Sequence, residues 1–203
     1  MVRRVAIFAS GSGSNFEAIV QAVQSGKLSG AEIALLVCDK PGAKVLERAA
    51  RLGVETFVFD PKAYAGKAAF EAEIVAELQK RDITLVVLAG YMRLIGETLL
   101  KEYEGSIINL HPSLLPAFPG KDAVGQALAC GVKVTGVTVH FVDAGLDTGP
   151  IIAQLPVPVE EGDTPDTLAA RIHQVEHGLL VEVIGWLLAD RVRRDGRFVQ
   201  ITQ

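Results

Sequence analysis

Val5-Ala6-Ile7-Phe8-Ala9-Ser10-Gly11-Ser12-Gly13-Ser14-Asn15 runs from an unbroken apolar stretch into a Gly-Ser turn. Phe16, Ile19, Val20 and Val23 then recur at helical spacing. A short continuous apolar run is the pattern of a strand buried on both faces, as in a parallel sheet. Strand, tight turn and helix in that order make the first half of a βαβ unit. The same alternation continues. Ile33–Val37 reads as a second strand, 43–52 as a helix closed by Gly53, and Thr56–Phe59 as a third strand. Phe70–Leu78 reads as a helix, Leu85–Ala89 as a fourth strand and Ser106–Leu110 as a fifth. Such alternation predicts an α/β fold: a single-domain, Rossmann-like, open and mostly parallel sheet with helices on both faces. Beyond the Pro-rich stretch of Pro112, Pro116 and Pro119, long β segments are expected at 134–142 and 151–159, and a helix at 168–188. Asp195-Gly196 suits the turn of a C-terminal hairpin. One domain over residues 1–203 is the expectation.

Composition narrows the function classes. The 203 residues carry 20 Lys plus Arg against 24 Asp plus Glu, a net charge of -4, which offers no electrostatic footprint for nucleic acid. Apolar residues make up 49% of the chain, enough for a sizeable core. No apolar run approaches the ~20 residues that cross a bilayer. The basic start is followed by too short an apolar stretch for a signal peptide. Two distant cysteines, Cys38 and Cys130, suit a reduced compartment and make neither a metal cluster nor a disulfide framework. A cytoplasmic enzyme without membrane or nucleic-acid partners is therefore expected.

Ser10–Asn15 falls at the carboxyl end of the first strand, the edge where open α/β sheets bind ligands. Gly11 and Gly13 admit close backbone approach, and the following helix N-terminus attracts an anion. Ser12, Ser14 and Asn15 supply donors that bind a phosphate on one reading and cap the helix on the other. Lysine is missing, so this is no Walker loop, and Phe16 stands where a dinucleotide fingerprint has its third glycine. Asp39, at the end of the second strand, occupies the place of a ribose-binding acid.

Asn109 and His111 lie two apart at the end of the fifth strand, so an extended chain turns them to one side. Asp147 follows in Leu146-Asp147-Thr148-Gly149-Pro150. An amide, an imidazole and a carboxylate suit acyl transfer to an amine without a covalent enzyme intermediate. The amide and a protonated imidazole hold the oxyanion, the carboxylate favours the charged imidazole, and it can help move the amine's proton. The plainer reading is a surface histidine and an ordinary turn aspartate. His140, inside a β segment, reads as structural, and His173 and His177 as a solvated helix face rather than a metal pair. With neither Cys-x-x-Cys nor His-Glu-x-x-His, no metal site is expected.

Four stretches carry a resemblance: Phe8–Asn15, Ala89–Arg93, Asn109–Pro116, and His140–Val142 through Pro150. Together, and in this order over nearly the whole chain, they resemble the phosphoribosylglycinamide formyltransferase family of folate-dependent formyltransferases. The resemblance implies transfer of a formyl group from 10-formyltetrahydrofolate to the amine of glycinamide ribonucleotide, with no metal. Gly13, Ser14 and Asn15 would hold the ribonucleotide phosphate and Glu176 would meet its ribose. Met92, Arg93, Leu94 and Ile95 would line the folate site, closed by Asp143, Ala144, Gly145, Leu146 and Asp147. Asn109, which would also touch folate, His111 and Asp147 would be catalytic. Lys67 falls near a position where the family commonly has arginine, and Asp122 where some relatives have histidine. A formyltetrahydrofolate deformylase and methionyl-tRNA formyltransferase share the Asn109–Pro116 block; both would carry an extra domain. A non-catalytic nucleotide-sensing module would keep the loop without needing Asn109, His111 and Asp147 together. Either a monomer or a homodimer is compatible.

Overall fold

The computed structural model describes residues 2–202. Seven strands follow the order β3-β2-β1-β4-β5-β6-β7: β1 Arg3–Phe8, β2 Ala31–Cys38, β3 Thr56–Val58, β4 Ile83–Leu88, β5 Ile107–His111, β6 Val134–Phe141 and β7 Ile151–Pro158. The helices are α1 Ser14–Gln24, α2 Lys44–Leu52, α3 Lys67–Gln79, α4 Glu97–Glu102, α5 Ala123–Cys130 and α6 Pro165–Leu188. Strands β8 Val192–Asp195 and β9 Phe198–Ile201 form a separate antiparallel hairpin. The expected α/β class, the mostly parallel sheet and the terminal hairpin are all present. Contacts divide the chain into two compact units, residues 1–109 and 110–203.

In the first unit, β1 pairs in parallel with both β2 and β4, β2 with β3, and β4 with β5. The chain winds outward from β1 to β3, then returns past β1 to β4. Because each parallel crossover is right-handed, this reversal assigns α1 and α2 to one face and α3 and α4 to the other. The observed packing of α1 on α2 and of α3 on α4 agrees. Val5, Ala6, Ile7 and Phe8 are fully buried, as their two-sided burial requires. Phe16 is also fully buried. It fills space that the third glycine of a dinucleotide fingerprint would leave for close helix–strand approach.

In the second unit, β6 and β7 pair antiparallel, with a register shift between Val139 and His140. Helix α6 packs on both strands and α5 packs on α6. Thr164 caps α6: its side chain accepts from the Thr167 amide while Thr167 Oγ1 accepts from the Thr164 amide, and Pro165 occupies the first turn. Asp163 holds Arg171 through both carboxylate oxygens beside that cap. Among the described residues no helix is long and apolar enough to cross a membrane.

Several boundaries differ from the sequence expectation. Strand β5 ends at His111, so this histidine belongs to the strand and not to the following loop. Helices α3 and α6 begin three residues early, at Lys67 and Pro165. Helices α4 and α5 have no counterpart in the sequence reading. Phe16→Ala is expected to cost about 3–5 kcal/mol, the usual penalty for emptying a buried aromatic site. Chemical denaturation measures it, and a loss below about 1 kcal/mol would mean that α1 is not anchored there.

Candidate active site

The reversal of strand order between β1 and β4 opens the sheet edge where α/β proteins bind ligands. Three loops of the first unit end there. Ser10 N donates to the Gly90 carbonyl, and Val45 N to the Gly11 carbonyl, each at 3.0 Å. Gly13 is the N-cap of α1 at φ 75° and carries no side-chain cap. Being glycine, the N-cap itself offers no side chain to the first-turn amides. A Cβ on Gly13 would overlap the Val45 side chain. Backbone conformation and packing therefore both demand glycine here. A helix N-terminus behind a glycine is a fitting seat for a phosphate.

Asp39 does not stand open as a ribose-binding acid. Its two oxygens accept from Ser10 Oγ at 2.5 Å and Arg93 Nε at 2.7 Å. Met92, Arg93 and Leu94 are exposed in succession, the two apolar side chains at 67% and 57%, while Ile95 is buried. Two exposed large apolar side chains so close together on a loop suit contact with an apolar ligand. The Gly96 amide donates to buried Glu71 at 2.6 Å, and the stem of exposed Lys67 passes beside Gly96. Asn109 pairs with Leu88 near the end of β5.

The second unit holds His111 and Asp147 together. His111 Nδ1 lies 3.4 Å from Asp147 Oδ2, and its Nε2 lies 2.8 Å from the Phe118 carbonyl. Both ring nitrogens thus face oxygen atoms. His140 repeats it: Nδ1 is 2.8 Å from the Phe141 carbonyl, and Nε2 is 3.7 Å from Asp147 Oδ1. The Gly120 amide donates to Asp147 Oδ2 at 2.7 Å. Burial alone would raise the Asp147 pKa. The polar contact with His140, the Gly120 amide and the positive character of both imidazoles outweigh it, so the carboxyl titrates below its ordinary range. His140 is therefore a buried strand residue, as expected, and also a partner of Asp147, which its position in the sequence does not reveal. The Phe118 carbonyl has no sequence signal at all, being backbone.

The loop carrying Asp147 is tightly built. Asp143 Oδ1 accepts from the Gly145 amide at 3.0 Å and from Thr148 Oγ1 at 2.7 Å. Asp147 sits at φ 54°, and a Cβ on Gly149 would overlap the Phe141 carbonyl. Leu146 beside it is 49% exposed. The Pro-rich loop is equally stitched: Ser113 Oγ donates to the Ala117 carbonyl at 2.6 Å, and Thr138 Oγ1 donates to the Ser113 carbonyl at 2.7 Å. Asp122 caps α5 by accepting from the Gly125 amide at 3.1 Å. Glu176 is buried on α6, 4.0 Å from exposed His173.

The formyl transferase family model matches residues 3–184, across both units. The chain belongs to the formyl transferase family. This formyl transferase is similar to the phosphoribosylglycinamide formyltransferase of Bacillus subtilis (strain 168), at 57% identity over 187 residues, 92% of this chain and 95% of that protein. It is similar to the crystal structure of glycinamide ribonucleotide transformylase 1 from Geobacillus kaustophilus. The identity is 62%, the TM-score 0.90, and the match covers 93% of this chain and all of that one. A formyltetrahydrofolate deformylase from Pseudomonas syringae pv. tomato is also similar, at 27% identity and TM-score 0.92, over 100% of this chain and 67% of that one. The formyl transferase is thus an enzyme, a one-carbon group transferase, and its likeness is to the phosphoribosylglycinamide formyltransferases of purine biosynthesis.

Gly13→Ala is expected to destabilise this formyl transferase by about 2 kcal/mol or more, from the left-handed backbone and the clash together. A melting temperature within about 2 °C of wild type would contradict that. The depressed Asp147 value gives a pH signature. A carboxyl whose folded pKa is lowered stabilises the fold above its unfolded value, and that contribution fades as pH falls through the folded one. The melting-temperature deficit of Asp147→Asn should be constant between about pH 5 and 7 and shrink below about pH 4. An undiminished deficit at about pH 3 would show that the charge is not its source.

Proposed function

We propose that the chain is a phosphoribosylglycinamide formyltransferase that uses 10-formyltetrahydrofolate as co-substrate. The observation that carries the mechanism is the Asp147 carboxylate, held anionic 3.4 Å from His111. The amine of N1-(5-phospho-D-ribosyl)glycinamide attacks the formyl carbon directly and forms the new C–N bond. Asn109 and His111 donate to the resulting oxyanion. Collapse breaks the bond to N10 of the folate, which takes up the proton lost by the amine. A carboxylate held below its usual range is a weak base. Asp147 therefore acts chiefly by anchoring the imidazolium of His111, and only secondarily in proton transfer. With Nδ1 turned to Asp147, His111 reaches the oxyanion through Nε2, which gives up the Phe118 carbonyl to do so.

The other assignments follow the same reading. Gly13, Ser14 and Asn15 receive the phosphate at the α1 N-terminus, and Glu176 the ribose. Met92, Arg93, Leu94 and Ile95, with Asn109 and Asp143, Ala144, Gly145, Leu146 and Asp147, receive the folate. Lys67 lies beside Gly96 at the end of that segment and contacts the folate from there. No metal enters the reaction. A family match that runs across both units supports one formyltransferase domain over 1–203. Two free cysteines, with Cys38 buried, suit a cytoplasmic location. The much higher identity to the transferases than to the deformylase supports an amine acceptor over water.

His111→Ala and Asp147→Asn test the roles. Each should lower kcat by roughly two to four orders of magnitude, with KM for both substrates within a few-fold of wild type. Steady-state kinetics on both variants decide it. Wild-type kcat in either would remove that residue from the mechanism.

A further inference from the structure

Asp39 directly follows β2, and its side chain is 8% exposed. Through its two oxygens it joins Ser10, in the loop after β1, to Arg93, in the loop after β4. Ser10 Oγ relays the connection, since it accepts from the Met92 amide at 2.9 Å. The Arg93 guanidinium lies 5.9 Å over the Phe70 ring of α3. At the other end of the same segment, buried Glu71 accepts from the Gly96 amide. Two buried acids from different elements thus clamp Met92–Ile95 at both ends. In a dinucleotide-binding fold an acid at the end of the second strand holds a ribose. Here both oxygens are committed to protein donors.

We propose that Asp39 is a positioning residue for the folate: it holds Arg93 and, through Ser10, the backbone of Met92, so that the 92–95 segment is formed before the folate arrives. This rests on the reading of that segment as folate-binding. A preformed segment pays less ordering cost on binding, so loosening it weakens folate binding and spares the ribonucleotide.

The two arms of the clamp separate by mutation. In Asp39→Asn the amide oxygen still accepts from Ser10, but the amide nitrogen turns a donor toward Arg93 Nε and releases it. Ser10→Ala releases the Met92 amide and leaves Asp39 on Arg93, while Ser10→Thr keeps a hydroxyl. Both substrates' KM, kcat and the hydrogen-exchange rate of peptides covering 90–96 are measured on the full chain. Asp39→Asn and Ser10→Ala should each raise KM for 10-formyltetrahydrofolate about tenfold. They should leave kcat and the ribonucleotide KM within about threefold, and speed exchange at 90–96 about tenfold. Ser10→Thr should restore both quantities. Unchanged exchange at 90–96 overturns the proposal, as does faster exchange with a folate KM within twofold of wild type. An equal rise in both KM values with a lowered melting temperature reduces Asp39 to a structural part and also overturns it. A wild-type chain that transfers no formyl group refutes the function assigned above, and exchange at 90–96 still decides whether Asp39 orders the segment.

Discussion

Strand order reverses between β1 and β4, and the ligand edge of the first unit depends on that reversal. Right-handed crossovers send α1 and α2 to one face and α3 and α4 to the other. The loops after β1 and β4 are left side by side at the carboxyl edge of the sheet. Ser10 and Gly90 are hydrogen-bonded for that reason, and Asp39 can reach both loops from β2. The glycine-led α1 terminus and the exposed apolar pair Met92 and Leu94 are products of the same topology. Chemistry is added to this frame by short side chains at strand ends, where the backbone is most rigid.

The second unit solves a different problem, which is keeping a charge in a mostly buried place. Asp147 is held by one amide and two imidazoles, and each imidazole has its other nitrogen on a backbone carbonyl. Buried ionised groups persist only when paired and hydrogen-bonded in this way. The cost appears in the loop: a left-handed aspartate, a glycine with no room for a methyl group, and an Asp143 side chain that closes the turn. The His111–Phe118 contact means that the imidazole is parked on its own loop. Catalysis as proposed exchanges that neutral acceptor for a developing oxyanion, a stronger partner for a charged donor.

Most of the first unit was legible as apolar runs of strand length between helical repeats, because two-sided burial leaves no other pattern. The short helices were not. α4 buries only Leu99, and α5 is eight residues long and buries only the small side chains of Ala123 and Ala127, so neither presents an apolar stripe long enough to read. Asn109, His111 and Asp147 could be singled out by type and spacing, and the structure brings His111 and Asp147 within 3.4 Å. What spacing could not show were the partners supplied by distant chain. His140 reaches Asp147 only because a turn folds back, and Asp39 meets Arg93 across 54 positions of sequence. The dinucleotide reading of Asp39 is weakened for the same reason: both of its oxygens already accept from protein donors.

The most direct test of the account is a spectrophotometric assay of folate product from 10-formyltetrahydrofolate, run with and without glycinamide ribonucleotide. The account predicts product only when the ribonucleotide is present, together with an equal amount of formylated ribonucleotide. Product at the same rate without the ribonucleotide would contradict it and make water the acceptor. Binding of both ligands without turnover would contradict it as well, leaving Asn109, His111 and Asp147 without a reaction.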